Sequence, residues 1–247
     1  MSLTTFNGFN LGKVQTQNAS GGGGGGIGWA TDNFTSYANQ AAVDAVYIPL
    51  DTKISGDTVN DRLNYQIVTD NTNDSLSRAL GGTASNTAWV LRFRWSMTAQ
   101  DRNPSGYEHF PVIGLSSADH NTGERTAQDG IVFCPYQDNV IRPIALSHAD
   151  NQALGITSNF TNFTETATAG DNFHVELKRT SATASKCELF SGVWITSVES
   201  KTQTIPSTVQ SLSYFVIKNY APAQNVSGSQ TGWIDDTGFQ DGVTTWV

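Results

Sequence analysis

Apolar and polar residues alternate along this chain in short runs whose period is two, the signature of half-buried strands rather than helices. The cleanest run covers residues 88–97. Trp89, Leu91, Phe93, Trp95 and Met97 fall on one side, and Arg92, Arg94 and Ser96 on the other. Residues 62–68 repeat the pattern, with Leu63, Tyr65 and Ile67 opposed to Arg62, Asn64 and Gln66. In the last third, residues 172–190 read as strand, polar turn and strand, 212–220 as another strand, and 232–242 as a closing aromatic-acidic strand. Shorter candidates are 46–50, 110–115 and 130–136. The first of these is ended by the turn residues Asp51, Ser55, Gly56 and Asp57, and residues 70–75 form a turn by composition. The stretches 116–129 and 147–171 read as long polar loops, where β scaffolds commonly carry function.

Composition narrows this picture to an all-β domain. Only 15% of the 247 residues are charged, while Ser, Thr, Asn and Gly are abundant, a profile that disfavours helix interiors. A chain of this length buries a substantial core without disulfide staples. The formal charge of -8 repels a phosphate backbone, so no nucleic-acid partner is expected. No apolar segment reaches membrane-spanning length, so no membrane insertion is expected. The first ten residues lack the basic start and apolar run of a signal peptide. Cys134 and Cys187 either pair across a long loop or remain free thiols acting as small hydrophobes.

Residues 1–20 form a polar arm carrying Phe6, Phe9, Leu11 and Val14, followed by six consecutive glycines, Gly21 to Gly26. The glycines serve either as a linker or as a site of close backbone packing. The expected organisation is therefore an N-terminal arm, residues 1–26, and one domain, residues 27–247. Phe6 and Phe9 are the candidate anchors of the arm on a neighbouring subunit.

The order of elements over residues 60–247 carries a resemblance. A strand and an Asn/Asp-rich turn lead into residues 85–93, followed later by 173–183, 204–214 and Trp233-Ile234-Asp235-Asp236. This resembles the concanavalin A-like lectin/glucanase superfamily, in particular LamG-like jelly-roll domains of marine viral, archaeal and environmental type. The resemblance implies a two-sheet antiparallel jelly-roll sandwich, here with an N-terminal extended arm, and it covers about three quarters of the chain.

The residues are then weighed against the chemistry of that group. Its glucanases place paired carboxylates on one strand, as an acid and a base or nucleophile about the glycosidic bond. Here Glu176 and Glu188 each stand alone on a strand, Glu199 falls in a polar loop, and adjacent Asp235 and Asp236 would face opposite sides. No catalytic residue is assigned and no enzyme is expected. His109, His120, His148 and His174 sit in no recognisable nucleophile motif. Asp235 and Asp236 resemble the Asp pair on the closing strand of LamG-like domains, which makes a structural calcium a candidate cofactor. Alternatively, one bonds local backbone and the other faces water.

Sugar binding needs an aromatic platform with planar polar groups. Tyr107, His109, Tyr136, Asn219 and Tyr220 are the candidates for it. The polar face of Arg92, Arg94, His174, Glu176 and Lys178 either lines a concave sheet or is a solvated face of mixed charge. Six Asn-x-Ser/Thr sequons, at Asn18, Asn33, Asn73, Asn159, Asn162 and Asn225, matter only on a glycosylating secretory route.

These readings favour a non-enzymatic structural and binding protein of a virion or extracellular surface, assembled as a homo-oligomer or with other surface proteins. A carbohydrate-binding module of a phage fibre or secreted adhesin is the alternative, and a glycoside hydrolase a remote one.

Overall fold

The computed structural model describes residues 27–49, 53–68, 75–101, 110–119, 129–135, 141–146, 163–165, 167–220 and 229–247. Their strands run β1 (Gly28–Asp32), β2 (Ile48–Pro49), β3 (Ile54–Asp57), β4 (Arg62–Val68), β5 (Ser75–Ala79), β6 (Trp89–Asp101) and β7 (Phe110–Ser116). They continue with β8 (Gly130–Pro135), β9 (Ile141–Leu146), β10 (Asn172–Ser181), β11 (Ala184–Ser191), β12 (Ser197–Thr204), β13 (Tyr214–Tyr220) and β14 (Ser229–Asp241). One short helix, α1 (Gln40–Asp44), is capped by the Asn39 side chain, which accepts from the Ala42 N–H.

All pairings are antiparallel. The larger sheet has eight strands in the order β12-β11-β10-β6-β14-β4-β3, with β1 added beside β14. The smaller has six, in the order β2-β5-β13-β7-β8-β9. Strands distant in sequence become neighbours, as in β6 beside β14, which is the crossover pattern of a jelly roll. The expected all-β sandwich is therefore present. Residues 1–26, with Phe6, Phe9 and the glycine run, lie outside the described residues.

The alternation in β6 places Trp89, Leu91, Phe93, Trp95 and Met97 inside, each at most 1% exposed. From the opposite sheet, Phe133 meets Phe93 and Trp95 edge-on, with centroids 5.8 and 5.5 Å away. Burial of each such side chain stabilises the fold by about 1.5–3 kcal/mol, so a register slip that turned this row outward is excluded. Cys187 is a free thiol buried in the same core.

Two segments depart from the expected pattern. Residues 54–57 form edge strand β3 rather than a turn, with Gly56 so close to Val43 that a Cβ would stand 2.8 Å from it. Glu199 lies on edge strand β12, not in a loop, where it accepts from the Thr164 and Glu165 N–H groups. An edge strand of this kind buries too little to show an apolar alternation.

A β-bulge interrupts β14. Asp235 pairs with Arg94 and Gly238 with Arg92, so β14 spends three steps where β6 spends two. Asp236 takes up the extra residue with φ 49°. The bulge is fixed from inside. The Thr237 hydroxyl meets the Tyr47 hydroxyl at 2.7 Å, and Trp29 Nε1–H donates to the Thr237 carbonyl at 3.2 Å. Tyr47 in turn belongs to a buried network in which Asp32 accepts from Tyr37, Tyr47 and Arg78.

Candidate functional site

The larger sheet turns one face to the core and the other outward. Cross-strand register lines up outward residues into rows across β4, β14, β6, β10 and β11. One row holds Asp235, Arg94 and His174, and the next holds Arg92, Glu176 and Glu188. The polar face read from the sequence is thus assembled on a single surface.

Its upper part is a ladder of ion pairs. Glu176 accepts from Arg92 through both Nε and Nη2 at 2.7 Å, and from Lys178 at 2.6 Å. Lys178 also reaches Glu188 at 2.5 Å, and Glu188 accepts from Lys186 at 2.7 Å. Burial alone would lower Lys178, but bonds to the two glutamates outweigh it and hold its pKa above the usual lysine value. Glu188 is displaced downward by the same lysines, against the effect of its own burial. Glu176 and Glu188 are therefore not solitary, as their separate strands suggested. They are direct cross-strand neighbours, brought together by Lys178.

Below this ladder, Arg94 faces both Asp235 at 3.4 Å and Asp236 at 3.6 Å. Strict alternation would send the two aspartates to opposite faces; the bulge and the left-handed backbone of Asp236 bring both to one guanidinium. Asp235 also accepts from the Asp236 N–H at 2.7 Å. Burial first, then the Asp236 charge, pushes the Asp235 pKa up to about 6. His174 is buried, and burial followed by the Arg94 charge lowers its pKa, which keeps the ring neutral near pH 7. His174 Nδ1 and Arg94 Nε are buried without a hydrogen-bond partner. The oxygens of the aspartate pair are directed at a guanidinium, and no group of three metal-ligating side chains gathers among the described residues.

Three half-buried tryptophans stand among these charges. Arg92 lies between Trp194 and Trp246, 4.7 and 5.1 Å from their ring centres. Trp194 meets His174 edge-on at 4.8 Å. Trp246 packs over Gly238, where a Cβ would come within 2.5 Å of the indole; only glycine admits the ring. Arg62 and Arg94 both lie over the Trp233 ring, 5.4 and 5.1 Å from its centre.

Beside Trp233 the face opens into a groove of about 310 Å³. Lys53, Ser55, Arg62, Asn64, Gln66, Thr98, Thr231 and Trp233 supply its polar and aromatic side chains. Edge strand β3 and β4 form one flank, and β14 and β6 the other. Thr98 and Thr231 hydroxyls meet at 3.1 Å, and Arg62 Nε–H donates to Asn64 Oδ1 at 3.1 Å. One aromatic wall with amides and hydroxyls around it combines an apolar platform with hydrogen-bonding groups.

The sugar-binding candidates from sequence fare differently. Tyr107, His109 and Tyr136 lie outside the described residues. Asn219 and Tyr220 close β13, where they pair with Pro111 and Phe110 of β7, on the smaller sheet and away from the groove. Trp194, Trp233 and Trp246 are not among these candidates, although Trp233 belongs to the closing-strand motif. The signal for Trp233 was present, because buried Ile234 next to it forces Trp233 outward on a strand.

No protein-family model matches the chain, and no curated protein matches it by sequence. Solved structures do. A sialidase aligns with 86% of this chain at TM-score 0.56 and 12% identity, although the chain spans only 18% of that protein. A family 7 alginate lyase, A1-II′, in complex with substrate aligns with 90% of this chain and 95% of its own at TM-score 0.51 and 11% identity. Arcelin-5, a lectin-like defense protein from Phaseolus vulgaris, aligns with 88% and 99% at TM-score 0.51 and 12% identity. What the chain shares with these structures is the fold, a two-sheet antiparallel jelly roll.

Proposed function

We propose that this protein is a carbohydrate-binding module and that the outward face of its larger sheet is the recognition surface. The observation that carries the proposal is the groove beside Trp233. A sugar ring stacks its apolar face on the indole, and Asn64, Gln66, Thr98 and Thr231 exchange hydrogen bonds with its hydroxyls. The likeness in fold to arcelin-5, a lectin-like defense protein, supports this reading.

Binding without turnover is part of the proposal. The carboxylates of Glu176, Glu188, Asp235, Asp236 and Asp57 are each ion-paired to Arg or Lys, and none lines the groove. The virion-assembly reading depends on residues 1–26, outside the described residues, and draws no support from the rest. Among the described residues, no helix is long and apolar enough to cross a membrane.

A glycan microarray probed with the full chain, with and without calcium, tests the proposal. Binding that Trp233→Ala abolishes is the expected result. Binding to no glycan in either condition, or retention by Trp233→Ala, refutes it.

A second reading rests on Asp235, held at about 6 beside Arg94 and neutral His174, a combination that can exchange a proton near neutrality. Incubation with polysaccharides would then release shorter products, and Asp235→Asn would stop their release.

A further inference from the structure

We infer that Asp57, Arg62, Trp233, Arg94 and Asp236 form one positioning unit across the sheet. Its two terminal aspartates set sugar affinity through the Trp233 ring, without touching the sugar. This inference rests on the carbohydrate reading above and names the residues that control its aromatic platform.

The row of contacts is continuous from edge strand β3 to the bulge of β14. Asp57 Oδ2 stands 3.4 Å from Arg62 Nε. The Arg62 guanidinium carbon lies 5.4 Å from the Trp233 ring centre, and that of Arg94 lies 5.1 Å from it. Arg94 Nη1 then meets Asp236 at 3.6 Å, with Asp235 alongside at 3.4 Å. Each cation is thereby shared between the indole and a carboxylate, and the ring is common to both halves. Register produces this arrangement. Trp233 sits opposite Asn64 on β4 and Ser96 on β6. Arg62 and Arg94 are each two residues along those strands, on the same face, so they are its diagonal neighbours.

A long arginine side chain laid over a ring gives up rotamer freedom, so its charge needs a fixed partner to stay there. Both aspartates are fixed by the backbone around them. Asp57 accepts from the Val59 and Asn60 N–H groups and from the Asn60 and Asn64 side chains. Burial opposes the Asp57 charge, but these bonds outweigh it and hold its pKa below the ordinary carboxylate value. Asp236 is delivered by the bulge at φ 49°, which Trp29 and Tyr47 hold through Thr237. Arg62 and Trp233 line the groove, whereas Asp57 and Asp236 stand behind them, outside its described lining. Removing either aspartate charge releases one guanidinium, and the ring then loses one of its two restraints.

Asp57→Asn and Asp236→Asn, each made in the full chain, test the inference. Asparagine retains turn-forming hydrogen bonds at residue 57 and accepts the left-handed backbone at residue 236, so each change chiefly removes charge. The first readout is the Trp233 indole N–H cross-peak in a nitrogen–proton correlation spectrum of the free protein, identified by its loss in Trp233→Phe. It should shift or broaden in both variants while the peaks of the buried Trp89 and Trp95 stay in place. The second is calorimetry with the tightest-binding oligosaccharide of the glycan microarray, where each variant should bind about threefold or more weakly. Should one substitution impair folding, the other carries the test. Unchanged affinity, or an unmoved Trp233 cross-peak, in either folded variant overturns the inference while the carbohydrate reading stands. A blank microarray removes both.

Discussion

Replacing Glu176 with Gln isolates the centre of the ion-pair ladder. The carboxylate side chain is 5% exposed and takes three charge-assisted contacts, two from Arg92 and one from Lys178. Glutamine keeps the shape but offers one acceptor oxygen. If that oxygen serves Arg92, the amide NH₂ is turned toward the Lys178 ammonium, and one charge-assisted bond is lost while another is weakened. Each such bond contributes about 1.5–3 kcal/mol, and breaking a buried ion pair costs about 3–5 kcal/mol. Two features moderate the loss. Lys178 keeps Glu188, and Arg92 keeps the faces of Trp194 and Trp246. The expected destabilisation is about 2–4 kcal/mol. Glu188→Gln, by contrast, leaves Lys178 paired to Glu176 and should cost about 1 kcal/mol. Urea unfolding of the three proteins at neutral pH measures both differences as shifts in midpoint at constant slope. A Glu176→Gln loss below about 1 kcal/mol, or equal losses for the two variants, would refute the ladder as a stabilising unit centred on Glu176.

Two further variants report on pH. Asp235 has a folded pKa of about 6, above its ordinary value of 3.8, so the folded state holds the proton more tightly. Its stabilising share is present below about pH 4 and lost as pH rises through about 6. Asp235→Asn should remove that decline and raise the melting temperature near pH 7, measured by calorimetry from about pH 4 to about pH 7; a lower melting temperature at pH 7 contradicts it. Glu199 is opposite in sign. Burial works against its charge, but Lys201 and the Thr164 and Glu165 N–H groups pull its pKa down to about 2 from 4.5. Its contribution is present above 4.5 and fades as pH falls toward about 2, so Glu199→Gln should destabilise near neutrality and converge with the parent protein in acid. Parallel melting curves at all pH values would argue against that role.

The sandwich was legible wherever one face of a strand is buried and the other wet. The residue row from Trp89 to Met97 fixed the inward face of β6, and the 172–190 hairpin appeared as β10 and β11. Elements that bury little left weaker traces. β12 reads as a polar run because it is an edge strand, and β1 and α1 take their places through the buried Asp32 network, which joins residues far apart in sequence. The polar face of Arg92, Arg94, His174, Glu176 and Lys178 was readable as a face, but not its pairing, because register is a property of the sheet. The bulge was the largest obstacle. Nothing in the Asp235-Asp236 pair itself announces that Asp236 adopts φ 49°; that conformation depends on Tyr47 and Trp29 gripping Thr237 from beneath. The groove needed Lys53, Arg62 and Trp233 from three separate segments, which only the folded sheet brings together.

A crystal structure of the protein with the tightest-binding oligosaccharide from the microarray tests the central claim most directly. A sugar ring stacked on Trp233, with its substituents among Lys53, Arg62, Asn64, Gln66, Thr98 and Thr231, is the expected result. A sugar bound on the smaller sheet or at the loops, with the Trp233 groove untouched, would contradict it.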